Sequence, residues 1–183
     1  MADPAQRSGR RQMSAVRTTP VRERAAERME RWAKRGLRER PPGSNVVPEL
    51  VAYAERLGVV PRIARMGYPW CAFAAFLAAL EAGGETATLA LRDEAFNGLY
   101  VPTILREAGA RRFGLRIVQA SRAQRGDLVL FDWSPAGDPA DHLGRLLRSP
   151  AEGRVATVDG NSGGLVALRE RPLAQVRAFI RDQ

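Results

Sequence analysis

The chain changes texture at Gly114. Ahead of it, apolar residues recur at spacings of three and four between helix-stopping signals; beyond it, short apolar stretches alternate with Gly, Pro, Ser and Asp clusters. Residues 128–132, 142–147, 154–159 and 165–169 carry the β-branched or bulky side chains of strands joined by hairpins. Residues 176–180 suit a last strand or a short helix. Helices first and antiparallel strands afterwards predict an α+β fold, with the helices packed on one face of the sheet.

In the helical part, Val21, Ala25, Met29, Trp32, Ala33 and Leu37 form one stripe behind Pro20, with Glu27/Arg31 and Glu30/Lys34 four residues apart. This amphipathic helix belongs to a basic N-terminal region, residues 1–40, whose first 19 positions lack any period and are expected to be disordered. Its stripe docks on the body or links to a further module; the other reading is contact with an anionic polymer or surface. Arg40-Pro41-Pro42-Gly43 breaks the helix and marks the expected boundary with a body of residues 41–183. Further helices are expected over 47–57, capped by Ser44 or Asn45, from Pro69 to Gly83-Gly84, and over 102–108.

At 183 residues and 45% hydrophobic content, the chain supports one proper core rather than two. Its formal charge of +9 invites a nucleic-acid partner, but residues 1–40 hold 12 Lys+Arg against 5 Asp+Glu, which leaves a nearly neutral body without a recognition motif. No nucleic acid is expected to bind. The longest apolar run, residues 70–80, is about half the roughly 20 residues of a bilayer span, so no membrane span is expected. The basic start is not followed by the apolar stretch of a secretory signal, and the protein is expected to be soluble.

One cysteine and one histidine are available for nucleophilic chemistry. By residue type Cys71 reads as core, since free cysteine is among the most buried side chains. Its place favours chemistry: with Pro69 opening the helix, Cys71 falls in the first turn, where unpaired N–H groups and the helix dipole favour a thiolate. His142 fronts a predicted strand and is the single base. A hairpin centred near residues 150–151 pairs His142 with Asp159, setting a carboxylate beside the imidazole; Asn161 suits the same orienting role. Tyr68, Trp70 and Trp133 flank these residues and suit either packing or a groove for a sugar or peptide. A lone histidine lacks the companions zinc needs, so no metal or other cofactor is expected.

Pro69-Trp70-Cys71-Ala72-Phe73, Arg125-Gly126-Asp127-Leu128-Val129-Leu130-Phe131, Asp141-His142-Leu143-Gly144 and Thr157-Val158-Asp159-Gly160-Asn161-Ser162 together resemble the CHAP family. These are the cysteine- and histidine-dependent amidohydrolases/peptidases, related to the NlpC/P60 and papain-like enzymes. The resemblance spans roughly residues 41–183, and Pro42-Gly43-Ser44-Asn45 is similar to phage-associated members. It implies a papain-like core in which Cys71 attacks an amide carbonyl, His142 relays the proton, and Asp159 and Asn161 occupy the orienting positions. It also implies a thioester acyl-enzyme and peptidoglycan as substrate, cut between muramic acid and the stem peptide or within the stem or cross-bridge. Some members act on glutathionylspermidine instead. Without an export signal, such an enzyme suits a phage lysin, a piece of a virion or an injected toxin, and residues 21–40 would meet an anionic wall polymer. The alternative is a module of the same descent that binds wall or protein without catalysis. Asp159 stands where Glu is frequent in the family. Arg145 stands where an apolar residue is usual and is expected to face solvent.

Overall fold

The computed structural model describes residues 19–59, 67–92, 96–133 and 140–183. Among them are five helices, α1 (Val21–Lys34), α2 (Pro48–Arg56), α3 (Cys71–Glu81), α4 (Glu85–Arg92) and α5 (Val101–Gly109). Six strands follow the first five helices: β1 (Arg116–Val118), β2 (Leu128–Phe131), β3 (His142–Leu146), β4 (Arg154–Asp159), β5 (Ala167–Pro172) and β6 (Val176–Arg181). They form one antiparallel sheet in the order β1-β6-β2-β3-β4-β5. The α+β class is therefore as the sequence predicts, and the segment at 176–180 is a strand. Helix α4 and strand β1 carried no sequence signal strong enough to be expected. No helix among the described residues is long and apolar enough to cross a membrane.

Helix α3 is apolar all round, with every residue from Cys71 to Ala79 buried, so it needs cover on all sides. The sheet supplies one side through β3, and α1 supplies another. Ala25, Met29 and Trp32 of α1 join the same cluster as Phe73, Phe76 and Leu77 of α3 and Leu128, Leu130, Leu143 and Val158 of the sheet. Residues 21–40, expected as a tail, thus share the body's core, and the apolar stripe docks.

Polar contacts fasten α1 further. Arg22 donates to the Gln124 side chain at 3.0 Å, Arg24 donates to the Ala82 carbonyl at 2.6 Å, and Arg28 pairs with Glu81. At Gly126, φ is +88° and an added Cβ would lie 2.3 Å from the Arg22 carbonyl, so glycine is what lets the start of α1 approach this turn. Past the helix, Val166 donates to the Leu37 carbonyl at 2.9 Å and Glu39 to the Gly164 carbonyl at 2.8 Å. The break at Arg40-Pro41-Pro42-Gly43 is a turn beside this shared core. Arg31, Lys34 and Arg35 remain exposed.

Strand alternation separates two faces. Leu128, Leu130, Leu143 and Val158 point to the helices, while Val129, Phe131, Leu146 and Val155 form a smaller cluster on the other face. Arg145 shares the helix face with Leu143. Contrary to expectation it is 0% exposed. Its guanidinium donates to the Ala75 carbonyl of α3 at 3.2 Å, to the Gly126 carbonyl at 2.8 Å, and to both Asp182 oxygens at 2.7 and 3.2 Å. The expectation failed because the counter-charge stands at the end of β6, a strand whose neighbours the local sequence does not reveal. Asp127, of the Gly126-Asp127 pair, is likewise buried and structural, held by Arg181 at 2.7 and 2.8 Å and by the Gln124 N–H at 2.9 Å.

Removing one member of a buried ion pair leaves the other charge uncompensated. Arg145→Met is therefore expected to cost about 3–5 kcal/mol in urea unfolding, and Arg145→Met combined with Asp182→Leu to recover most of it. A wild-type midpoint in the single variant contradicts the role assigned to this pair.

Candidate active site

Helix α3 begins at Cys71 itself, with Trp70 as its N-cap, two residues later than the sequence suggests. The Cys71 side chain is packed at the first helical position, where the backbone N–H groups have no partner within the helix. It borders a cleft of about 340 Å³, lined also by Tyr68, Pro69, Asn97, Tyr100 and Asp141.

His142 reaches this helix start from the first residue of β3. The hairpin register differs from the expected one. Glu152 and Gly153 have φ of 51° and 70° and form a tight turn between Ala151 and Arg154, beyond the expected centre. The ladder pairs Gly144, not His142, with Asp159. A displacement of two residues preserves the face on which side chains lie, so His142 and Asp159 remain diagonal neighbours. To reach His142, the carboxylate passes over Gly144: a Cβ there would stand 2.0 Å from Asp159 Oδ1. Gly144 is the gap through which Asp159 meets the imidazole.

His142 Nε2 lies 3.1 Å from Asp159 Oδ2, which leaves Nδ1 as the ring nitrogen for Cys71, the other side chain that interacts with the imidazole. Burial disfavours the imidazolium. The hydrogen bonds with Asp159 and Cys71, and the negative charges those groups carry, outweigh it and raise the His142 pKa to about 9.

Arg171, which carried no sequence signal, completes the cluster from β5. Its Nη1 lies 2.6 Å from Asp159 Oδ2 and donates to Thr157 Oγ1 at 3.2 Å. The guanidinium carbon stands 4.8 Å from the Phe131 ring centre and 5.2 Å from that of Trp133. Trp133 in turn stacks on His142 at 5.0 Å and 24°. Only the β4–β5 pairing, which sets Arg171 opposite Val155, brings this residue to the face of Asp159.

The remaining expected residues separate. Asn161 donates to Asn45 Oδ1 at 3.3 Å, while the imidazole's partner is the Asp159 carboxylate. Trp70 is 3% exposed and donates its indole N–H to Glu39 at 2.9 Å; it packs in the core and faces no groove, because the N-cap of a fully buried helix is itself enclosed. Tyr68 and Trp133 are 52% and 45% exposed, Tyr68 on the cleft and Trp133 over His142. Tyr100, also on the cleft, was not singled out by sequence. Among the described residues no group of three or more His, Cys, Asp or Glu side chains is placed to hold a metal ion.

No family model matches the chain, and no curated protein matches it. A solved structure titled "The crystal structure of Ly7917" superposes with a TM-score of 0.43 and 16% identity, over 90% of this chain and 63% of that one. The chain spans less than two thirds of that structure, and a likeness at this level carries no argument about activity.

Two outcomes follow from the geometry. Gly144→Ala displaces the Asp159 carboxylate and is expected to lower the His142 midpoint from about 9, read by NMR titration of the chain's one imidazole. The raised pKa also links to stability: the contribution of His142 is complete below its unfolded value near 6.5 and is lost as pH rises through about 9. Wild-type stability should thus fall across that window, by up to about 3 kcal/mol. His142→Gln should lack the decline.

Proposed function

We propose that this chain is a cysteine-dependent amide hydrolase with a papain-like core of the CHAP type, acting on peptidoglycan. One observation carries the chemistry: the Cys71 side chain borders an open cleft and interacts with the His142 imidazole, while Asp159 Oδ2 lies 3.1 Å from His142 Nε2. This is the order of nucleophile, base and orienter that acyl transfer needs.

In this reading Cys71 gives its proton to His142 Nδ1, and the Asp159 carboxylate at the far nitrogen favours the imidazolium that results. The sulfur attacks the amide carbon, and the carbonyl oxygen, now negative, is met by the Cys71 N–H at the start of α3. His142 then protonates the amide nitrogen; the C–N bond breaks and the acyl group stays on sulfur as a thioester. Water, giving a proton to His142, attacks that thioester and releases a carboxylic acid and the thiol. Asp159 stabilises the imidazolium in both halves and fixes its tautomer.

The motifs that resemble the CHAP family support peptidoglycan as substrate, cut as an N-acetylmuramoyl-L-alanine amidase or a peptide endopeptidase would cut it. The exposed rings of Tyr68, Tyr100 and Trp133 suit sugar faces and peptide side chains. The outward cations Arg31, Lys34 and Arg35 suit an anionic wall polymer.

Cys71→Ala and His142→Ala should retain the wild-type circular dichroism spectrum and lose at least about 1,000-fold in fragment release from purified cell walls. Mass spectrometry of wild-type fragments from defined peptidoglycans identifies the bond. A wild-type chain that binds walls and releases nothing supports the non-catalytic module instead.

A further inference from the structure

The Asp159 carboxylate is 0% exposed, and its Oδ1, lying over Gly144, has no hydrogen-bond partner among the described residues. A base must release its proton on every cycle. When His142 does so, a solitary carboxylate in this enclosure would cost several kcal/mol, and a two-membered His–Asp pair would keep the proton instead.

Arg171 is placed to relieve this. Its Nη1 approaches the same Oδ2 that His142 uses, 2.6 Å away, and a guanidinium stays charged throughout the working range. The Thr157 hydroxyl and the rings of Phe131 and Trp133 fix its plane. Because Trp133 stacks on the imidazole, one side chain touches both the carboxylate behind His142 and the ring that covers it. The titratable groups acting on His142 are Cys71 from α3 and Asp159 from β4, with Arg171 on the far side of Asp159; Asp141, next to His142 in the chain, accepts from the Trp133 N–H at 2.7 Å. Phe131 of β2 and Trp133 just beyond it are uncharged, and Arg145 with Asp182 lies on the opposite face of the sheet.

We infer that Arg171 is a positioning residue: it pairs with the Asp159 carboxylate and keeps it aimed at Nε2 when His142 gives up its proton, and it holds Trp133 against the imidazole. This rests on reading Cys71 and His142 as nucleophile and base. Arg171 thereby sets how readily the pair releases a proton.

The single histidine makes the test independent of substrate. In NMR titration of the full-length chain, Arg171→Met is expected to raise the His142 midpoint by about one pH unit or more, since a nearby positive charge is lost, and to collapse the ring-current shift from Trp133. Arg171→Lys keeps the cation and should return the midpoint to within about half a unit of wild type, while the ring-current shift stays reduced because the planar fork is gone. A side chain that merely stiffens the fold lowers the melting temperature and leaves both midpoints unmoved. An unmoved midpoint in folded Arg171→Met overturns the inference. Should that variant not fold, the wild type decides: Arg171 guanidinium nitrogen shifts must move in step with the His142 titration, and flat shifts overturn it. Titrations that behave as described in a chain that cuts no cell wall would defeat the hydrolase reading and leave the role of Arg171 in place.

Discussion

The guanidinium of Arg145 joins the helix that carries Cys71 to the strand that carries His142. It stands three positions after His142 on β3, points to the opposite face, and grips the Ala75 carbonyl four residues into the Cys71 helix. Gly126 and Asp182 take its remaining bonds. A buried cation tolerates little displacement, since any shift strands a charge or an acceptor in a low-dielectric core. Sliding α3 along its axis would break these bonds and separate the thiol from the imidazole at once. The meeting of Cys71 and His142 is therefore fixed from the helix face of the sheet, opposite the face on which His142 lies.

The two faces of the sheet divide the work. The helix face holds the large apolar cluster, and α1 closes it by covering a helix too apolar to meet water. The contacts among His142, Asp159 and Arg171 belong to the other face, where the apolar cluster is small and polar side chains find one another across β3, β4 and β5. Gly144 couples the two requirements. Its lack of a side chain opens the space for Asp159, while its neighbours Leu143 and Arg145 anchor the strand from behind.

Around His142 four ionisable groups stand in sequence: thiol, imidazole, carboxylate, guanidinium. For His142, its neighbours Asp159 and Cys71 offset the desolvation of the buried ring, and Arg171 pairs with the Asp159 carboxylate behind it. The cleft beside Cys71 is open and rimmed by Tyr68 and Tyr100, so the sulfur is supported from within and approached from one side.

The sequence by itself determined what depends on local period: helices followed by antiparallel strands, Cys71 at a helix start, His142 at a strand start, and Asp159 on the same face. The predicted register was wrong by two residues, and the site survived because strand side chains repeat every two; an error of one would have sent Asp159 to the helices. Tertiary structure alone decided the rest. Arg145 is buried because β6 delivers Asp182, Arg171 reaches Asp159 because β5 pairs with β4, Asn161 turns to Asn45, and Trp70 disappears beneath the fold instead of lining a groove. A charged or aromatic side chain takes its meaning from partners brought up by strand order and helix packing, and those partners lie too far along the chain for any local pattern to announce them.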